Sequence, residues 1–494
     1  MSVPTAKAIV GRDFAAVNGV INIITRKSGA TQGGVLDVSA GDRGSQGSLQ
    51  YGGALESDLD YRVYVNTLTA PSDKTSTGAN AEDGWSKTQG GFRLDWTPQS
   101  DTVSLQGDLY HGDMDAPTAP GISISGSDLQ VTWQHPLGDG SALQVIAYYD
   151  GTRQFEGADG GYSLNTYDLE VQHSFSPWEG HQIVWGAGYR VFQDEMAFVG
   201  PVQYVPPSSV ESISDIFAQD TIALDPTLKL IAGLKLEDDP YSGLAPLPNV
   251  RLSWNVGDNA MLWAAVSRAV RAPTLFDEDL QDTVIPGVLI LEGNKDFQSE
   301  KLTAYEIGTR VQPTEQTSFS ISTFFNNYND LRSVEVARSA VLPILWAWGN
   351  MMEGNVHGVE AWANYQPTDW WRLSAGFNIQ HEDLRFKPGS SRLGGLAIAG
   401  DDPNHQASLR SSMNLSSDIT WDADFRYVGA LPHPVIPSYV ELNSRLAWEV
   451  TPSLELSISG LNLLQAHHVE YEEAGATTGN EVERSFFVET MIRF

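Results

Sequence analysis

Alternation of apolar and polar residues with a period of two is the feature that most limits the fold of this chain. In residues 101–110 (DTVSLQGDLY), Val103, Leu105 and Leu109 alternate with polar side chains. Residues 318–324 and 453–459 follow the same period. Because successive side chains of a β-strand point to opposite faces, this period indicates strands with one apolar face. Helical spacing is hard to find, so we predict an all-β fold.

Turn signals recur along the chain and divide it into hairpins. Clusters of Pro, Gly, Asp and Ser mark ten short turns, at residues 55–57, 98–100, 137–140, 177–180, 225–226, 257–258, 313–314, 367–368, 416–417 and 451–452. Longer loops are predicted between them, at residues 69–84, 195–211, 269–301, 330–352, 384–400 and 465–482. Ten short turns imply eleven hairpins. The sequence therefore predicts a transmembrane antiparallel β-barrel of about 22 strands, with short periplasmic turns and long extracellular loops.

The membrane assignment depends on strands, because no helical span is visible. The longest apolar candidate, residues 339–352, is too short and contains Pro343 and Gly349. Several tryptophans lie beside predicted short turns, as expected of an interfacial girdle: Trp96, Trp178, Trp254, Trp370, Trp371 and Trp448. The last segment, residues 483–494, alternates up to Phe494. A terminal aromatic residue on the lipid face is the signal that we expect the barrel-assembly machinery to read.

Charge and composition exclude several classes of function. The formal net charge is −32, which repels nucleic acid, so no nucleic-acid partner is predicted. The chain has no cysteine, which excludes disulfides and thiolate metal sites. Nucleophile-elbow, zincin, P-loop and dinucleotide motifs are absent, so we predict neither an enzyme nor a cofactor. An acidic surface is most simply a solvated one, although acidic loops could also hold divalent cations or steer a cationic ligand.

One histidine-rich segment resembles a metal site in composition. His467 and His468 precede three glutamates in a predicted external loop, namely Glu470, Glu472 and Glu473. Imidazole and carboxylate groups chelate first-row metal ions, but a solvated polar loop explains the same residues more simply. His111, Asp113 and Asp115 would make only a weak cation site. We therefore predict no metal.

An apolar patch in the predicted loop 330–352 is the candidate for ligand contact. Its residues are Leu342, Ile344, Leu345, Trp346, Trp348, Met351 and Met352. Flat rings suit stacking on a ligand, and exposed apolar surface often marks a binding site. We assign the contact to Trp346, Trp348, Met351 and nearby Tyr328. The alternative is that the segment is an extended strand that packs on neighbouring loops.

Three stretches resemble the TonB-dependent outer-membrane receptor family. Residues 17–28 (VNGVINIITRKS) look like the end of that family's plug domain, through a motif of Val17, Asn18, Gly19, Val20, Ile21 and Asn22. Residues 293–310 (GNKDFQSEKLTAYEIGTR), after residues 267–275 (SRAVRAPTL), resemble the family box, with Asn294, Asp296, Glu300 and Lys301. The C-terminal third fits the same family. Turn chemistry alone explains the box, so we expect it to be a loop-to-strand entry without a ligand role.

The resemblance implies a domain division and a function. Residues 1–30 would be a remnant of the C-terminal end of a plug, with Val20, Ile21, Ile23 and Ile24 forming a strand buried against the wall, and residues 31–494 the barrel. No energy-coupling box is found. The implied function is uptake of a scarce nutrient, such as an iron–siderophore complex, across a Gram-negative outer membrane, energised by TonB when a plug is present. A passive pore for small solutes and a barrel-anchored binding protein are the alternatives.

The same reading predicts the partners of the chain. They are outer-membrane lipid and lipopolysaccharide, the barrel-assembly machinery, and a small-molecule ligand that could be a metal chelate. A TonB-type coupling protein is expected only if a full plug exists.

Overall fold

A computed structural model describes residues 23–75, 77–115, 121–157, 160–283, 290–338, 345–396, 402–433, 435–471 and 480–494. Its strands are β1 (Gly33–Gly41), β2 (Gly44–Glu56), β3 (Leu59–Ala70), β4 (Lys74–Thr75), β5 (Trp85–Trp96), β6 (Thr102–Met114), β7 (Ile122–Gly138), β8 (Ser141–Phe155), β9 (Gly161–Phe175), β10 (His181–Met196), β11 (Val202–Tyr204), β12 (Ser208–Ala223), β13 (Leu228–Asp239), β14 (Gly243–Asn255), β15 (Ala260–Arg271), β16 (Leu280–Asp282), β17 (Leu291–Glu292), β18 (Glu300–Thr314), β19 (Thr317–Arg338), β20 (Leu345–Thr368), β21 (Trp371–Phe386), β22 (His405–Asn414), β23 (Ile419–Val428), β24 (Tyr439–Thr451), β25 (Leu454–Leu461), β26 (His467–Tyr471), β27 (Asn480–Glu483) and β28 (Ser485–Arg493). The helical elements whose bounds the structure gives are α1 (Leu275–Glu278) and one 3₁₀ turn, Ser28–Ala30. No helix among them is long and apolar enough to cross a membrane.

Twenty-two of these strands form a closed antiparallel ring, which we call the wall. Each wall strand pairs with the next wall strand along the chain, and β28 pairs back onto β1 in a register that runs from Val35–Arg493 to Gly41–Phe487. The remaining six short strands, β4, β11, β16, β17, β26 and β27, lie in the connections. Closure satisfies the backbone hydrogen bonds of both edges. The predicted barrel of about 22 strands is confirmed.

The two ends of the wall differ in the length of their connections. Ten connections of two to five residues join wall strands at one end, which we call the turn end. Both ends of the ring, Gly33 and Arg493, also lie there. The tightest turns include Asp139–Gly140, where both residues have positive φ, of 50° and 76°, as a two-residue hairpin requires. The other end, the loop end, carries the long connections. Two turn predictions were displaced, because β18 and β20 extend through residues 313–314 and 367–368.

The outer face of the wall is apolar and its inner face is polar. On β12 and its neighbours, for example, Ile216, Leu234 and Val250 are exposed outward. Exposed rings gather at the turn end, where Trp96, Trp178, Trp254, Trp370 and Trp448 are each 44% to 61% exposed. An apolar outer band with a ring of tryptophans is the surface that a bilayer requires.

The prediction of a long loop at residues 330–352 was wrong. β19 and β20 continue through most of it and pair with each other from Thr317–Tyr365 to Arg338–Leu345. The register of this pairing shifts at three places, between Tyr328 and Arg338, but the two strands remain hydrogen bonded to each other on either side of each shift. Leu342 and Ile344 lie outside the described residues. The alternative of an extended strand is therefore the observed structure.

The N-terminal segment follows the inner wall instead of forming a buried strand. Ile23 and Ile24 are 82% and 81% exposed, so the predicted burial of these two residues is wrong. Ser28, by contrast, is fully buried, and both its backbone N–H and its hydroxyl donate to Asp95 Oδ2 at 2.6 Å. The six residues of the plug-end motif, from Val17 to Asn22, lie outside the described residues.

Candidate functional site

The described part of the connection between β15 and β18, residues 272–283 and 290–299, is a folded segment at the loop end, which we call the insert. It contains α1, β16 and β17, and its centre is Asp277, which is fully buried. The Asp277 carboxylate accepts hydrogen bonds from Arg271 at 2.9 Å, from Arg332 at 3.2 Å and from the backbone N–H of Thr274 at 3.0 Å. Burial opposes ionisation of this carboxyl, but the hydrogen bonds and charges of the two arginines lower the pKa of Asp277. Asp277 is thus a buried anion held by two cations.

Arg332 connects this ion cluster to an aromatic one. Its guanidinium carbon lies 5.2 Å from the ring centroid of Phe276 and 5.0 Å from that of Trp348. Trp348 in turn packs with Leu280 and Phe297, which form the buried hydrophobic cluster of this end. A guanidinium between aromatic faces adds cation–π attraction to its ion pair. The insert is therefore fixed to β19 and β20 by both charge and packing.

The residues of the family box hold the insert in place. Asn294 Nδ2 donates to the backbone oxygen of Trp348 at 2.9 Å, and its side-chain oxygen accepts the N–H of Asp296 in a turn. Glu300 receives Arg271 at 2.7 Å and the backbone N–H of Arg332 at 2.8 Å. Lys301 pairs with Asp330 at 2.6 Å. These contacts agree with a loop-to-strand entry.

One carboxyl group of the insert, that of Glu278, has a pKa near neutral. Glu278, at the end of α1, is only 7% exposed, and burial raises its pKa to about 7. Lys295, 3.9 Å away, acts in the opposite direction, while the carboxylates of Asp279, Glu211 and Asp239 add to the rise. The Glu278 Oε1 atom is buried and has no hydrogen-bond partner among the described residues. The charge of this end therefore changes near neutral pH.

A chamber of about 800 Å³, which we call the loop-end chamber, lies against the inner wall below the insert. Tyr328, Trp348 and Met352 are among its aromatic and apolar lining residues, although Trp348 and Met352 are almost completely buried. Its basic side chains are Arg271 and Arg332, both already paired with Asp277. Its carboxylates are Glu300, Glu306, Glu360, Glu382 and Asp402. Five carboxylates against two guanidinium groups make the lining net negative.

A second, smaller cavity of about 390 Å³, which we call the aromatic cavity, lies between β10, β12 and the start of the insert. Four rings line it, those of Phe192, Tyr204, Tyr241 and Phe276. Its volume is in the range of small-molecule sites. It shares Phe276 with the surroundings of Arg332, so the two cavities are neighbours.

The four residues predicted to contact a ligand are only partly brought together. Tyr328 and Trp348 line the loop-end chamber. Met351 lines a separate concavity with Trp348 and residues 292–296, which include Asn294 and Asp296 of the family box. Trp346 is 39% exposed and pairs with Leu291 of β17. Trp348 is 8% exposed, so it is packed within the protein and offers little of its ring to a ligand.

The histidine-rich segment is better ordered than a solvated loop. His468 is 8% exposed and stacks on Tyr439 with 4.3 Å between ring centroids, so the solvated reading is wrong for this residue. Glu441, His468 and Glu470 place ligand-type atoms within 4.8 Å of one another. However, Arg426 binds Glu441 at 2.5 Å and Glu470 at 2.6 Å, so a cation already occupies the position between the carboxylates. Glu472 and Glu473 lie outside the described residues, and His111 and Asp113 form an exposed 3.3 Å pair.

Several residues of the candidate sites were not predicted from the sequence. Thr274 and Asp277 follow the S/T-x-x-D/E spacing of a capping box, so the start of α1 was detectable. Arg332 carries no local signal, because its partners Asp277 and Phe276 are more than fifty residues away. The aromatic cavity combines side chains of three wall strands and three connections, which no sequence window contains.

Comparison with known proteins agrees with a large membrane barrel. The chain belongs to the TonB-dependent receptor family, since residues 29–463 match the family described as TonB dependent receptor-like, beta-barrel. The chain is therefore a receptor barrel and not an enzyme. The ferric enterobactin receptor PirA of Pseudomonas aeruginosa is 22% identical over 97% of this chain and 77% of its own length. The ferrienterobactin receptor of Escherichia coli is 22% identical over 51% of this chain and 36% of its own length.

The solved structures agree on the fold. The siderophore receptor PirA from Acinetobacter baumannii superposes with a TM-score of 0.81 at 14% sequence identity, over 96% of this chain and 82% of that chain. At this identity the superposition shows the barrel alone, and the ligand of this chain has to be inferred from its own residues.

Proposed function

We propose that this chain is an outer-membrane receptor that takes up an iron–siderophore complex, powered by a TonB-type protein acting through a plug domain. The observation that carries the proposal is the loop-end chamber, which lies on the inner wall of a TonB-dependent receptor barrel whose named relatives are receptors for ferric enterobactin. These findings support a receptor over a passive pore or an anchored binding protein. The lipid partners, the assembly signal at Phe494 and the coupling protein remain predictions.

The charge of the chamber lining limits which class of ferric chelate can bind there. A ferric tris-catecholate such as ferric enterobactin is an anion, and the chamber lining has five carboxylates and only two arginines. Both arginines are paired with Asp277, which removes much of their attraction for an anion. We therefore propose a neutral or positively charged chelate, such as a ferric hydroxamate, in place of a catecholate.

Binding to the purified chain tests this proposal. Saturable quenching of tryptophan fluorescence is measured in nonionic detergent with ferric chelates that differ in net charge. A neutral or cationic ferric hydroxamate should bind at least about tenfold more tightly than a ferric catecholate, a difference of about 1.4 kcal/mol. Uptake of the same iron-55 chelate by a Gram-negative strain that expresses the chain then tests transport.

A charge variant makes the test specific to the chamber. Replacing Glu306, Glu360 and Glu382 by Gln removes three carboxylates from its lining and should shift the preference towards the anionic chelate. Asp424→Asn, which removes an inner-wall carboxylate outside the chamber lining, is the matched control and should change nothing. Equal binding of all chelates before and after the substitutions would contradict the chamber as the binding site.

A further inference from the structure

The aromatic cavity differs chemically from the loop-end chamber next to it. Seven of its lining residues are aliphatic, proline or methionine and four are aromatic, whereas the polar lining residues are Thr274, Asp194 and Glu211. Within the described residues that line it, two are acidic and none is basic. An apolar cavity with a few converging polar groups is the usual form of a small-molecule site.

The wall strands fix the two carboxylates on one face. Phe192 pairs directly with Glu211 across β10 and β12. Asp194 pairs with Ser209, two residues nearer the loop end on each strand. Residues two apart on a strand share a face, so Phe192 and Asp194 point the same way. The two carboxylates therefore lie beside a ring, on adjacent rigid strands.

A short turn positions the second wall of the cavity. The Asp239 carboxylate accepts the backbone N–H groups of Tyr241 at 2.9 Å and Ser242 at 2.8 Å, which closes the turn between β13 and β14. Tyr241 then reaches across the cavity and donates its hydroxyl to Glu211 Oε1. Burial and this hydrogen bond raise the pKa of Tyr241, so the phenol stays protonated as the donor. The hydrogen bonds of Asp239, Tyr241 and Glu211 therefore fix the geometry of the cavity before any ligand binds.

The carboxylates have no cationic partner of their own. Among the described residues, neither Asp194 nor Glu211 lies within 4 Å of a basic nitrogen, and the hydrogen bonds they accept come from Ser209 and Tyr241. Several other carboxylates on the inner face pair with Arg or Lys, as Asp168 does with Arg190. Half-buried carboxylates without a counter-ion attract a cation strongly. Aromatic rings offer the same attraction through their faces.

We propose that the aromatic cavity binds an organic cation: an apolar, ring-sized body that carries one ammonium group, with the body between Phe192, Phe276 and Tyr204 and the ammonium group at Asp194 and Glu211. Such a ligand satisfies both halves of the lining, whereas an anion meets two carboxylates and a neutral hydrocarbon leaves them uncompensated. The proposal concerns a site separate from the loop-end chamber, so it holds whether or not a chelate is transported.

A matched series of probes tests the charge requirement. Isothermal titration calorimetry on the full chain in nonionic detergent compares phenethylammonium, 2-phenylethanol and 3-phenylpropanoate, which share a phenyl ring and differ in charge. The ammonium probe should bind at least about tenfold more tightly than the alcohol, and the carboxylate probe should not bind measurably. Raising the salt concentration should weaken binding of the ammonium probe more than binding of the alcohol.

Variants assign the binding to the cavity. Glu211→Gln with Asp194→Asn should abolish the preference for the ammonium probe. Phe192→Leu keeps an apolar side chain but removes the ring face, and it should weaken binding severalfold. Asp424→Asn, on another part of the inner wall, is the matched control. Heat-modifiable migration in gel electrophoresis confirms that each variant is folded. Absence of binding, equal affinity for the three probes, or undiminished ammonium binding in the double variant would overturn the proposal.

Discussion

The wall and the insert are stabilised in opposite ways. Every wall strand pairs with two neighbours along its length, and its outward side chains, such as Ile216, are exposed. The insert has few ladder bonds but contains Asp277 and Phe297, both fully buried. The wall is therefore held mainly by backbone hydrogen bonds and the insert by particular side chains.

The difference determines which substitutions each region tolerates. In the wall, a side chain must suit the face on which it lies, and many residues do. In the insert, a side chain must meet specific partners, as Asp277 meets Arg271 and Arg332. Local stability should therefore respond to single substitutions far more in the insert than in the wall.

Asp277→Ala should give the largest effect. It leaves two arginines without their shared carboxylate and removes the acceptor for the backbone N–H of Thr274. Removing one partner of a buried ion pair costs about 3–5 kcal/mol. Hydrogen exchange in residues 272–283 and 290–299 should rise accordingly, whereas exchange in β5 to β9 stays unchanged.

Asp296→Ala is the matched control for that experiment. Asp296 lies in the same insert but is exposed, and its side chain is outside the ion cluster. It should shift exchange by less than about 0.5 kcal/mol. Similar exchange in the two variants, or faster exchange throughout the wall, would show that the regions are not independent.

The contrast also explains which parts of the structure could be predicted from sequence. The wall was predictable because alternation with a period of two and turn residues are local features of the sequence. Residues 101–110 therefore predict β6 without reference to any other strand. The insert was not, because Arg332 meets Asp277 and Phe276 only through the fold. Trp348 is an intermediate case. Its apolar character predicted a contact surface, but only the structure shows that Leu280 and Phe297 cover it.

Ile216→Arg tests the wall and should have the next largest effect. Ile216 lies at the middle of β12 on the outer face, where a charge meets lipid, at a cost of about 2–4 kcal/mol. Gln219→Arg, on the inner face of the same strand, is the matched control and should cost much less. Chemical unfolding from lipid vesicles measures both, and equal costs would mean that the faces were assigned wrongly.

A pH titration of the insert should give a smaller, graded effect. Because burial raises the pKa of Glu278 to about 7, the folded insert binds that proton more tightly than the opened one. The stabilisation is complete below the ordinary value of 4.5 and is lost as pH rises through about 7. Local opening of residues 272–283 should therefore cost about 1–3 kcal/mol more at pH 5 than at pH 8. Asp277, whose pKa is lowered, stays ionised over this range.

Glu278→Gln provides the control for the titration. The amide cannot titrate, so local opening in this variant should depend little on pH between 5 and 8 once intrinsic exchange rates are corrected. Lys295 and Asp279 remain in place and keep the rest of the local charge constant. A pH dependence that survives in the variant would assign the effect to another group.

Arg385→Gln should have the smallest effect, although it also breaks an ion pair at the loop end. Arg385 binds Glu353 at 3.0 Å between β20 and β21, but its side chain is 61% exposed. Water and salt screen such a pair, and its contribution is about 0–1 kcal/mol. Hydrogen exchange in β20 and β21 should therefore change little, in contrast to the response of the insert to Asp277→Ala. A large effect at Arg385 would mean that ion pairs stabilise the wall as well, and that burial is not what separates the two regions.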